Sequence, residues 1–172
     1  MARVEIINTP IRKYPYKTRK GLSENQIKKG LRKEGWTVWR GGSINLIRRI
    51  DEQYPNVAKS YSKLKELLED KYTEETVDKL CYLCDVSHGM PDFLCYHPFK
   101  GFKFVECKLG NEQLSARQLK AVMYLREELG FEVEVRKLVE DSTKTRKQIL
   151  FIHPDKKWKK TVEKQSVLNG KF

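Results

Sequence analysis

The residue pattern points to an α/β fold: a mixed sheet of four or five strands, flanked by helices and interrupted by a helical insertion. Short runs of β-forming residues recur along the chain, at 36–40, 93–96, 102–109, 131–135 and 149–152. Apolar residues at helical spacing fill much of the sequence between them, and Gly, Pro, Ser and Thr punctuate the junctions. At 172 residues, 39% hydrophobic and 34% charged, the chain has the length for one buried core and the composition of a globular protein. A single domain over 1–172 is expected.

Residues 1–20 hold Pro10, Tyr14, Pro15, Tyr16 and dense basic charge around one short apolar run, Val4–Ile7, and read as an extended basic arm. Ser23 followed by Gln26 has capping-box spacing, so a helix is expected over about 24–34, with Ile27 and Leu31 on its buried face and Gly35 as its stop. Glu24 shares that face, which sets a carboxylate beside the core. Residues 36–40 read as a strand ending in a flexible turn at Gly41-Gly42. The segment 43–88 is acidic and helical, with Leu64, Leu67 and Leu68 on one helix and Val77, Leu80, Cys81 and Cys84 on another that starts at a Thr73 cap. It reads as an insertion packed on one edge of the sheet or as a miniature domain.

Strands return after Met90. Residues 93–96 and 102–109 are joined by the turn-forming His97, Pro98 and Gly101 and fit a hairpin. Ser115 caps a helix of about 116–129, stopped by Gly130, whose stripe is Leu119, Val122, Leu125 and Leu129. Alternation at Phe131, Val133 and Val135 gives a strand, a final strand falls at 149–152, and 153–172 reads as a basic tail.

Composition narrows the function classes. The longest apolar runs fall far short of the roughly 18 residues a membrane span needs, and no apolar signal core opens the sequence; a cytoplasmic protein with no membrane partner is expected. The four cysteines are expected to be buried thiols. Cys81-x-x-Cys84, near His88, Cys95 and His97, is a single pair on an apolar helical stripe and argues poorly for zinc. The formal charge of +12 favours a polyanionic partner, and it is polarised: residues 1–20 carry six basic groups against one acid, residues 141–172 nine against three, whereas 51–90 carry five against nine. Phosphate contacts are therefore expected from Arg12, Lys13, Lys17, Arg19 and Lys20 in the arm, from Arg40, and from Lys144, Arg146 and Lys147. Solvated surface charge is the plainer account of the same residues.

The chemistry-bearing stretch is Gly89-Met90-Pro91-Asp92, followed by Glu106-Cys107-Lys108 within an apolar strand. Strand alternation sets Glu106 and Lys108 on one face and turns Cys107 to the other. If the preceding strand pairs alongside, Asp92 reaches Glu106 across the ladder, and two carboxylates so close repel. A divalent cation relieves that repulsion, and Asp92, Glu106 and the backbone carbonyl of Cys107 form an oxygen set suited to Mg²⁺. Such a centre suits phosphate chemistry, with Lys108 orienting a water or neutralising developing charge. The competing account is a network of structural ion pairs, which stabilise little at a surface.

The ordered set Gly89-Met90-Pro91-Asp92, Phe104-Val105-Glu106-Cys107-Lys108, Leu114-Ser115-Ala116-Arg117-Gln118 and Leu129-Gly130-Phe131-Glu132-Val133-Glu134-Val135 resembles the PD-(D/E)xK nuclease superfamily. Within it the likeness is greatest to stand-alone VRR-NUC domains, which are similar to Holliday-junction resolvases. The resemblance covers 24–42 and 89 to about 138. It implies a restriction-endonuclease-like core, metal ligation by Asp92 and Glu106, a catalytic Lys108, a supporting Gln118 and an auxiliary acid at Glu24. It further implies a Mg²⁺-dependent DNA endonuclease, with Mn²⁺ as a substitute, selective for branched DNA such as flaps or four-way junctions, and a possible homodimer. The long segment between Gly42 and Gly89 departs from compact members. A DNA-binding module that keeps the fold without chemistry is the alternative, and an RNA substrate is left open.

Overall fold

The computed structural model describes residues 2–11, 21–140, 144–153 and, as backbone, 160–167. Seven strands, β1 (Ala2–Pro10), β2 (Thr37–Arg40), β3 (Phe93–His97), β4 (Gly101–Leu109), β5 (Glu132–Val139), β6 (Arg146–Ile152) and β7 (Lys160–Val167), form one sheet in the order β2-β3-β4-β5-β1-β6-β7. β5 runs parallel to both β4 and β1, and every other neighbouring pair is antiparallel, so the sheet is mixed. Among the described residues four α-helices accompany it: α1 (Leu22–Lys33), α2 (Pro55–Lys71), α3 (Glu74–Val86) and α4 (Ala116–Met123). The expected α/β architecture with helices flanking a mixed sheet is present.

Alternation along β4 divides the core. Val105 and Cys107 pack with Phe93, Cys95 and Leu138 beneath Ile27 and Leu31 of α1. Phe102 and Phe104 face the opposite way, into a larger core that takes Leu64 and Leu68 from α2, Val77 and Leu80 from α3, and Leu119 and Val122 from α4. Phe104 meets Phe131 edge-on at 5.2 Å between ring centroids, and Tyr72 closes over Phe131 at 4.6 Å.

The sheet is wider than the sequence pattern suggested. Residues 2–10, expected in a basic arm, form a central strand between β5 and β6, where Ala2 and Val4 are buried. Hydrogen bonding on both sides fixes this strand, and its charge is matched: Glu5 meets Lys147 at 2.6 Å and Arg3 at 3.7 Å. The tail expected over 153–172 contributes β7, an edge strand on β6. The sequence over Lys160–Val167 has no apolar alternation to read. The remainder of the arm, 12–20, lies outside the described residues.

The helical segment contributes Leu64, Leu68, Val77 and Leu80 to the larger core. It begins with 3-10 turns over Gly41–Arg48 that bury Ile44 and Ile47, then lays α2 and α3 across one face of the sheet. Trp39 of β2 ties it down, its indole Nε1–H donating to Ser60 O at 3.1 Å and Ser60 Oγ at 3.0 Å. Thr73 caps α3 as expected, accepting from the Thr76 amide at 3.2 Å. The capping box expected at Ser23 does not form: α1 starts at Leu22 after a left-handed Gly21, φ 72°, and the Gln26 side chain donates to Pro10 O at 3.3 Å. The last helix keeps α geometry only to Met123 and continues as a π-helical turn over Tyr124–Glu128. Among the described residues no helix is long and apolar enough to cross a membrane.

Because Leu64 and Leu80 share one core with Phe104, truncating either should destabilise the whole chain. Leu64→Ala is expected to cost about 2–5 kcal/mol in a single cooperative denaturant transition, followed by tryptophan fluorescence and far-UV circular dichroism. Two separate transitions would mean that the helical segment folds independently.

Candidate active site

β3 stops pairing before β4 does. The last register pair is Phe93 with Val105, so the next amide of β4 on that side, that of Cys107, has no ladder partner. Asp92, one residue before β3, supplies it: Cys107 N–H donates to Asp92 Oδ2 at 2.8 Å. Backbone groups of one residue leave an extended strand on the same edge, so the Cys107 carbonyl also faces this loop.

Two glycines let the loop sit there, and neither acts through its own dihedral freedom. A Cβ on Gly41 would lie 1.9 Å from Pro91 O, and one on Gly89 would lie 2.3 Å from Arg117 O, at the first turn of α4. Gly41 N–H also donates to Asp92 O at 2.9 Å. The 89–92 segment is thus wedged between the 3-10 run and α4. The Gly41 turn, expected to be flexible, is a buried packing point.

On the face toward α4, Glu106 and Lys108 stand together as strand parity requires. Lys108 Nζ lies 3.0 Å from Glu106 Oε1 and donates to Gln118 Oε1 at 3.0 Å, while Gln118 Nε2 donates to Glu106 Oε1. Gln118 is oriented by its own helix end, because Ser115 N–H donates to its Oε1 at 2.9 Å and its amide bonds Ser115 Oγ at 3.2 Å, a complete capping box. Glu106 and Lys108 are only 3% and 9% exposed. Glu24, on the first turn of α1, lies within electrostatic reach of Asp92, and its Oε2 is 4.0 Å from Arg40 Nη1.

Electrostatics single out Glu106. Burial pushes its carboxyl up to about 7, and the neighbouring Asp92 adds to the rise; Lys108 pulls the other way without offsetting them. Asp92 is raised too, by burial and by Glu24, against the amide bond from Cys107. The centre holds more negative charge than its lysine satisfies, which is the demand a cation would meet. Among the described residues no group of three or more His, Cys, Asp or Glu side chains is arranged to hold a metal. The donors that fit one are two carboxylates and a main-chain carbonyl, and Mg²⁺ commonly takes just one or two carboxylates and fills its shell with water and substrate oxygens.

Asp92, Glu106, Lys108 and Gln118 are therefore brought together, with Glu24 and Arg40 at the rim. Lys144 and Arg146 lie at the same end of the sheet, but β6 is three strands from β4, roughly 14 Å at the usual strand spacing. Lys147 is engaged with Glu5. Arg12, Lys13, Lys17, Arg19 and Lys20 lie outside the described residues. The four cysteines are free thiols, and Cys95 and Cys107 pack on the α1 side, away from Glu106. Lys137 is the β5 register neighbour of Lys108, a position the sequence reading did not name, and among the charges acting on Glu106 the cation is Lys108.

A carboxyl whose folded pKa exceeds its unfolded value binds its proton more tightly in the folded chain, so stability rises as pH falls. For Glu106 that gain accrues from about pH 7 down to its ordinary value of 4.5. Without divalent cations, the unfolding free energy of wild type relative to Glu106→Gln is expected to rise between pH 8 and pH 5 by on the order of 1–3 kcal/mol. Parallel stability curves for the two proteins would contradict this. Gly89→Ala should destabilise by about 1–3 kcal/mol, since its Cβ has to displace α4 backbone, and an unchanged melting temperature would show that α4 yields freely. No family model matches the chain, and neither a curated protein nor a solved structure does.

Proposed function

We propose that this protein is a Mg²⁺-dependent DNA endonuclease of the PD-(D/E)xK type that hydrolyses phosphodiester bonds, with branched DNA as its preferred substrate. The observation that carries the reading is the half-buried Asp92 set beside the buried Glu106, both raised, with Lys108 next to them at the point where β3 leaves β4. Two carboxylates in mutual repulsion with a single ammonium beside them are poorly explained as a stabilising salt bridge, because removing charges from water is costly unless fully compensated.

In this reading Asp92, Glu106 and the Cys107 carbonyl hold Mg²⁺ or Mn²⁺. A divalent cation there supplies Lewis acidity toward a phosphodiester oxygen and acidifies a water. Lys108, fixed by Glu106 and Gln118, presents its ammonium to the charge that develops on the phosphoryl oxygens. Gln118 holds both partners at once and sets their spacing. Glu24 adds negative charge beside Asp92, and its neighbour Arg40 tempers it. The net charge of +12 favours a polyanionic substrate.

Labelled flap, four-way-junction and linear duplex DNA incubated with Mg²⁺ test the assignment. Wild type is expected to cut, a chelator to abolish cutting, and Asp92→Ala and Lys108→Ala to lower the rate by roughly 10²–10³-fold or more. Equal cleavage by wild type and variants would trace the activity to a contaminant. Tight DNA binding without cleavage would leave a binding module.

A further inference from the structure

The acidic centre is flanked by a cluster of basic side chains. Lys28 and Arg32 follow Glu24 at four-residue intervals on α1, so the three form one row along the helix. That row faces the sheet edge made by β2 and β3: Lys28 Nζ lies 5.9 Å from the Phe93 ring centroid, and Phe93 is the register partner of Arg40. Arg40 in turn reaches Glu24 at 4.0 Å. Among the described residues neither Lys28 nor Arg32 forms a salt bridge, and Arg32 and Arg40 are exposed. The Lys28 ammonium is held below its ordinary value first by burial and then by repulsion from Arg32 and Arg40, with Glu24 only partly offsetting them. Three like charges are gathered where ordinary packing would disperse them.

We propose that Lys28 and Arg32, with Arg40 across from them, form a phosphate-binding groove that leads one DNA strand from the β2 edge into the Asp92–Glu106 centre. The inference deepens the nuclease reading and rests on it for the direction of the strand. From Glu24 to Arg32 the helix rises about 12 Å, enough to track roughly three or four nucleotides of one strand. Lys28 holds its half-buried ammonium over the Phe93 ring at 5.9 Å, and a point charge placed there meets phosphate without carrying a base code. The groove therefore adds affinity and register without sequence preference.

The test measures anisotropy of labelled duplex and four-way-junction DNA, in chelator, from 50 to 200 mM salt. Lys28→Gln with Arg32→Gln is compared with Lys59→Gln with Lys63→Gln, a charge-matched pair exposed on α2 across the sheet. Losing two phosphate contacts should flatten the slope of log affinity against log salt by about two for duplex, whereas the α2 pair should leave it near wild type. Arg32→Gln alone, at an exposed position, should flatten it by about one and guards against a folding defect in the double variant. Equal slopes in the two double variants, or no DNA binding by wild type, would overturn the groove. Mg²⁺-dependent cleavage of the same DNAs separates the two ideas: cutting with unchanged slopes removes the groove and keeps the nuclease, and a flattened slope without cutting does the reverse.

Discussion

Where β3 ends and β4 runs on, the Cys107 amide would be an orphaned donor in a mostly buried setting, and the Asp92 carboxylate takes it at 2.8 Å. The geometry of the centre follows from that substitution of a side chain for a missing strand. Asp92 has to lie against the edge of β4, and Glu106, one residue before Cys107, must then lie close to it. Gly41 and Gly89 have to be bare for the loop to reach that position. A ladder extended by two residues, to position 91 opposite Cys107, would satisfy the amide with backbone and leave the carboxylate no reason to be there.

Much of this was readable in the chain because it depends on local rules. Strand parity alone joins Glu106 to Lys108 and separates Cys107 from both, and the hairpin between 93 and 109 brings Asp92 into range. The Ser115 cap sets Gln118 at the helix position from which it reaches back. What escaped notice depends on partners distant in sequence. Val4–Ile7 is too short a run to announce a central strand, and only the flanking β5 and β6 ladders make it one. Lys160–Val167 has no apolar alternation and is a strand because β6 offers an open edge. The Ser23 capping box is absent because the helix starts earlier, at Leu22 after the left-handed Gly21, which puts Ser23 inside the first turn; Gln26 reaches Pro10 O instead. Leucines spaced for helices at 64–68 and 77–80 identify buried faces without saying against what, so an edge insertion and a core layer look alike in sequence.

Charge illustrates the same division. A count of basic residues overstates what is free to meet a polyanion, since several are consumed inside the fold. Arg136 bonds Glu34 at 2.8 Å and Glu134 at 2.9 Å; Lys103 meets Glu134 at 2.9 Å and covers the Trp36 ring at 4.2 Å. Lys147 is matched to Glu5, and Arg48 to Asp78. Glu134 in this setting is held below the ordinary carboxylate range, because Arg136 and Lys103 outweigh a burial penalty that alone would raise it.

Glu134 and Glu106 are a natural comparison. Both are buried acids in the same pair of adjacent strands, on opposite faces of the sheet, yet one is depressed and the other rises to about 7. The difference is in the partners: Glu134 has two cations, whereas Glu106 has one lysine and a second acid. Burial is the largest influence on each, so the sign is decided by whether the fold has supplied enough positive charge locally. On the α1 side it has, and the network there closes on itself. On the α4 side the account stays open by one cation. That imbalance, more than the presence of acids and a lysine, is what separates a candidate reactive centre from a structural ion network of the same residue types.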